Sequence, residues 1–192
     1  MFATLCGMTG RFDESKRAFD ELLASAIRIF GHDHVNTRLI CRNRSILLRN
    51  MAQKAEDLVS RDDLANGARY IDAVLIESKA RNFFDVKDPD VQINCETMAG
   101  VANVLRVMGR LQESVAVARV CLKSARERKD LDSEVTQQCM RNYAKVSYDL
   151  HDGPTKESKQ VLDELLAAQI RLYGPDAPQT QGTALILGLV QV

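Results

Sequence analysis

Residues 14–37, ESKRAFDELLASAIRIFGHDHVNT, return at residues 157–180 as ESKQVLDELLAAQIRLYGPDAPQT. The two stretches align without a gap and agree at 13 of 24 positions. Most differences conserve shape: Phe19 stands opposite Leu162, Ile29 opposite Leu172 and Phe30 opposite Tyr173. Duplication at this level is the mark of a chain built from stacked units rather than one globular core, so period outranks local pattern.

The first copy opens at Gly10-Arg11-Phe12-Asp13-Glu14, and Ala18, Leu22, Ala26 and Ile29 recur at helical spacing behind it. Gly31 is placed to end that helix as a C′ glycine. Ala3 to Met8 read as the tail of a preceding helix. After the polar link His32–Asn36, a helix is expected from about Thr37, with Leu39, Ile40, Ile46, Leu47 and Met51 on its apolar side. There is room for roughly two extra turns before a break at Asp62-Asp63 and a helix holding Tyr70, Val74 and Leu75. DVKDPDV at 85–91 occupies the place of GHDHVNT at 31–37 and GPDAPQT at 174–180. A helix over 91–108 follows, and Gly109-Arg110-Leu111-Gln112-Glu113-Ser114 repeats the opening of the first copy. Glycine marks a lattice: Gly67 to Gly109 is 42 residues and Gly109 to Gly153 is 44, while Gly10 to Gly67 is 57, read as 42 plus a 15-residue insertion.

Composition agrees with an all-α chain. Hydrophobic residues make up 45% and charged residues 27%, and only 4 Pro and 10 Gly interrupt long helices. Net charge is zero, so no basic excess points to nucleic acid. No apolar run approaches the roughly 18 to 20 residues of a membrane helix, and a soluble chain without membrane insertion is expected. The N-terminal stretch MFATLCGMTGRF lacks the basic and apolar regions of a secretory signal, and five cysteines without a CxxC pair suit a reducing compartment. The expected location is cytoplasmic.

A two-helix period of 42 to 44 residues exceeds the roughly 34 of a standard tetratricopeptide unit. In Gly109–Ser114 and in Gly174-Pro175-Asp176-Ala177-Pro178 the chain resembles the tetratricopeptide family in its longer, kinesin-light-chain-like form. There the family favours Gly-x-Tyr-x-Glu-Ala and Gly-Pro-Asp-His-Pro. Ser15, Ser114 and Ser158 stand where the family prefers Ala. The resemblance implies a right-handed superhelical solenoid of antiparallel helix pairs, about four repeats in a single array over 1–192. Because the chain starts late in one first-helix and stops in another, it reads as a piece of a larger protein.

Residues that tempt a chemical reading weaken on alignment. Cys41, Cys95 and Cys139 fall at one repeat position, whose fourth copy is Ala184, so they read as small core residues rather than metal ligands. His32-Asp33-His34 aligns with Pro175-Asp176-Ala177 and reads as a solvated loop. Asp20-Glu21 and Asp163-Glu164 recur in register and read as a solvated helix face. No phosphate loop, nucleophile elbow or His-Glu helix motif occurs, and neither an enzyme nor a cofactor is expected.

What remains is a surface. The resemblance places the first-helices, 37–51, 91–108, 135–150 and 180–192, along a concave groove. They carry Arg38, Arg42, Asn43, Arg44, Arg49, Asn50, Asn94, Glu96, Asn103, Arg106, Gln138, Arg141, Asn142 and Lys145. Seven Arg or Lys there stand against one Glu. Arg offers a planar donor fork and Asn both donates and accepts, which suits a carboxylate-bearing segment and peptide backbone. The candidate peptide site is Arg42, Asn43, Asn103, Arg106, Arg141, Asn142 and Lys145, each with the alternative of facing solvent on the helix's other flank. The expected function is an interaction scaffold or adaptor that holds an acidic partner peptide. Beside it stand a regulatory or sensor arm of a larger signalling protein, and self-association by end-to-end stacking.

Overall fold

The computed structural model describes residues 10–80, 91–128 and 131–188. They form eight α-helices: α1 Phe12–Phe30, α2 Val35–Ser60, α3 Leu64–Ala80, α4 Val91–Val107, α5 Leu111–Glu127, α6 Glu134–His151, α7 Lys156–Tyr173 and α8 Pro178–Ile186. No strand occurs among the described residues. The all-α expectation of short-linked helix pairs holds. The helix tail expected at Ala3–Met8 and the link expected at Asp85–Pro89 lie outside the described residues. The chain divides into two compact units, Met1–Asn82 and Phe83–Val192, each with its own packing.

In the first unit α2 packs against both α1 and α3. It is 26 residues long, against 17 for α4, so the extra turns foreseen before Asp62 lie within this helix. Asp62 holds the left-handed turn at φ 66°, as Gly10 and Gly109 do at 78° and 76°. The glycine lattice therefore needs correction: Gly67 is not the junction but sits inside α3. A Cβ there would lie 2.6 Å from Val59 Cγ2, so glycine is what lets α3 close onto α2.

Charge also ties this unit together. Arg44, expected on a solvent-facing groove, is buried and forms ion pairs with Asp20 of α1 and Glu77 of α3. Lys16 joins them, 2.9 Å from Asp20 and 3.5 Å from Glu77. The hydrogen bond to Asp20, helped by the Glu77 charge and opposed by burial, holds the Lys16 ammonium above its ordinary pKa. Asp20 is thus half-buried in a three-helix network, not part of a purely solvated face.

The second unit stacks α4 on α5, α5 on α6, α6 on α7 and α7 on α8, and α4 also packs on α6. Its core gathers Ala102, Leu122, Met140, Tyr143, Val161 and Leu165. The family's small-residue position is filled by buried Ser15, Ser114 and Ser158. Ser114 Oγ donates to Ala102 O at 2.6 Å, so the buried hydroxyl is accommodated because it finds an acceptor on the preceding helix. Ser158 forms a reciprocal capping box with Thr155 at the start of α7. On the second-helix side, Arg126 to Glu164 at 2.8 Å and Arg119 to Glu157 at 3.4 Å link α5 to α7.

Two outcomes follow for stability. Leu165→Ala lowers unfolding free energy by about 3 kcal/mol, whereas Leu22→Ala, at the same repeat position but exposed, costs less than about 1 kcal/mol; urea melts of dilute protein read both. Glu77→Ala leaves the buried Arg44 cation with only Asp20 of its two ion-pair partners and costs about 2 kcal/mol, and pairing it with Arg44→Met recovers much of that loss in the same assay.

Candidate functional site

A groove of about 910 Å³ opens in the second unit between α6, the start of α7 and the end of α8. Three cations line it, Arg141 and Lys145 from α6 and Lys159 from α7. Tyr148, Leu162, Leu185, Ile186 and Leu187 supply its apolar wall. The spacing of Gln138, Arg141, Asn142, Lys145, Tyr148 and Asp149 is that of one α-helical face, so a single straight helix delivers the polar side.

Among the described residues the one lining carboxylate, Asp149, is held 2.9 Å from Arg106 Nη1 of α4, and its charge is matched before any ligand arrives. Arg106 also reaches Asn103 Oδ1, from Nη2 at 3.3 Å and Nε at 3.4 Å. Asn142 Nδ2 donates to Ala99 O at 3.0 Å, which pins α6 to α4. Arg141 Nη2 donates to Gln138 Oε1 at 2.9 Å, and Gln138 Nε2 donates to Asn142 Oδ1 at 3.2 Å. Beneath them buried Gln169 of α7, with its amide nitrogen toward α8, donates to Gln179 O at 3.1 Å and Thr183 Oγ1 at 2.7 Å and accepts from Arg141 Nη1 at 3.3 Å. Arg141 is therefore oriented from two sides.

The expected site residues separate into three groups. Arg141, Asn142 and Lys145 line the groove. Asn103 and Arg106 brace α4 against α6 instead of lining it. Arg42 and Asn43 lie on α2 in the other unit, exposed and half-buried respectively. Asn94, also counted on the concave side, is fully buried. Lys159 and Leu162 were missed because they belong to a second-helix that only folding brings beside α6, and Tyr148, Leu185, Ile186 and Leu187 because apolar residues of a first-helix read as core.

His34 lies in the exposed link, as expected, and also caps α2: its Nδ1 accepts from the Asn36 amide at 3.2 Å and its ring stacks on Phe30 at 4.7 Å. Among the described residues no group of three His, Cys, Asp or Glu side chains is placed to hold a metal ion. No helix there is long and apolar enough to cross a membrane. Residues 3–36 match the family model of the tetratricopeptide repeat. That span takes in α1 and most of the 24-residue stretch that recurs at 157–180, so α7 and its link repeat the second-helix part of the matched unit. No curated protein matches the chain.

The cysteine ladder is core, as alignment implied, for Cys95 and Cys139, while Cys41 is half-buried. Cys121 joins it from α5, a neighbour that the repeat position alone did not announce. Cys139 is pushed up to about 12, first by its contact with the Cys121 thiol and further by burial; Cys95 is raised by Cys139 and by burial. Both thiols stay protonated at pH 8 and lack the thiolate that attacks electrophiles. Iodoacetamide at pH 8 is therefore expected to modify Cys41 at least about tenfold faster than Cys95 or Cys139, read by peptide mass mapping, with the difference erased in urea.

Proposed function

This chain is a tetratricopeptide-repeat protein, built on a repeat that serves protein–protein interaction, and we propose that it is a scaffold or adaptor holding an acidic peptide in the groove of α6, α7 and α8. The observation that carries this reading is the charge of that groove: Arg141, Lys145 and Lys159 face the opening while Asp149 is matched by Arg106. A peptide carboxylate gains most beside cations that have no protein carboxylate to satisfy, and Arg141 is pre-oriented by Gln138 and Gln169, which lowers the ordering cost of binding. The wall of Tyr148, Leu162 and Leu185 suits an apolar side chain flanking the acidic residues. Helices of 17 and 18 residues support the longer, kinesin-light-chain-like form of the repeat. Tetratricopeptide repeats are typically scaffolds without catalysis, and this reading assigns the chain no reaction.

The test is fluorescence anisotropy with a labelled Leu-flanked Asp/Glu peptide and its Asn/Gln counterpart. Lys145→Ala with Lys159→Ala weakens the acidic peptide roughly tenfold, about 1.4 kcal/mol, and added salt weakens it further. Equal affinity for the two peptides, or for the natural and doubly substituted chains, rules the reading out.

A further inference from the structure

Another cavity belongs to the first unit alone. It holds about 250 Å³ and is lined by the first turn of α1, the last turns of α2 and the first turns of α3. It exists because α2 runs on: Lys54 and Leu58 lie in the turns by which this 26-residue helix outruns α4 and α6, of 17 and 18 residues. Folded back against those turns, α3 presents Asn66, Arg69, Tyr70 and Ala73, spaced as one helical face.

The inner wall is apolar and fixed. Met51 is buried, Leu58 is half-buried, and the Tyr70 ring is held edge-on by Phe12, with centroids 5.5 Å apart and planes at 85°. The exposed lining is charged. The side chains of Lys54 and Arg69 make no ion pair or hydrogen bond among the described residues. In this they differ from Lys16 and Arg44 of the same unit, which are tied to Asp20 and Glu77. Asp13 of α1 is the one lining carboxylate among the described residues and pairs with neither cation, so two cations stand against one acid.

We propose that this cavity binds a small phosphate monoester. A phosphate dianion satisfies both cations, with the Arg69 fork on two of its oxygens and the Lys54 ammonium as a point charge on the third. A carboxylate, with one charge and two oxygens, satisfies only one of them. Asp13 accepts from a hydroxyl on the ligand's stem, whose carbons lie against Met51, Leu58 and the Tyr70 ring. At about 30 Å³ for each water-sized group the space admits roughly eight such groups, enough for a phosphate on a short stem and too little for a peptide. The inference does not rest on the peptide groove, with which the cavity shares no residue.

Amide NMR spectra of the full chain titrated with glycerol phosphate test it. The expected result is a saturable shift of the amides around Lys54, Leu58, Asn66 and Tyr70, with a Kd of about 1 mM or tighter. Glycerate, which keeps the stem but carries a carboxylate, binds at least about fivefold more weakly, and uncharged glycerol shifts nothing. Lys54→Gln with Arg69→Gln weakens glycerol phosphate at least about tenfold, while the circular dichroism melt is unchanged because both side chains are exposed and unpaired. Lys145→Ala with Lys159→Ala leaves this affinity as it was. Should the double glutamine variant melt lower, the two substitutions are read singly, each weakening binding about threefold. The proposal is overturned by the absence of a saturable shift, by glycerate binding as tightly, or by glutamine variants that bind as the natural chain does. Shifts spread over exposed cations throughout the chain mark an adventitious ion only, and overturn it too.

Discussion

Helix packing in this chain depends on cover supplied by near neighbours in sequence. In the second unit each helix packs only on helices one or two places away. Fully buried side chains such as Leu165, Met140, Val161 and Leu105 are buried because a neighbouring helix lies over them. Stability in such an array is close to a sum of unit and interface terms. An identical side chain is therefore worth several kcal/mol in one copy and little in another, according to how fully its surroundings bury it. Leu22 and Leu165 are that case: the same residue at the same repeat position, with opposite burial.

Close approach makes the interfaces specific. Gly67 lets α3 meet Val59, and Ser114 donates its hydroxyl to a carbonyl of the preceding helix. Polar groups are spent in the same economical way. Asn142, Arg106 and Gln169 each bridge helices, and the groove's cationic character arises because Arg106 is used to match Asp149. In the first unit Arg44 is drawn inside by Asp20 and Glu77, two acids from two other helices. A buried cation with two partners is costly to disturb, but it is no longer a recognition residue.

Much of the fold is legible in residues 14–37 and their return at 157–180. The helices, the Asp62 break, the long α2 and the core cysteines all follow from period and turn chemistry, which are local. Gly67 misled because a glycine serves both left-handed turns and tight packing; only the backbone tells which, and the turn went to Asp62. The candidate site was half legible. Arg141, Asn142 and Lys145 share one helix face at readable spacing, while Lys159 and the Leu185–Leu187 wall come from other helices.

By itself, then, the sequence determined the helix pairs, their period and the repeat type that residues 3–36 match, because apolar spacing and turn residues act within a few residues of themselves. The tertiary structure alone decided which arginine is buried and which faces the groove, which carboxylate is already matched, and which copy of a repeated leucine is covered. Those are properties of charge and surface between helices, set by partners dozens of residues away, and no single helix carries them.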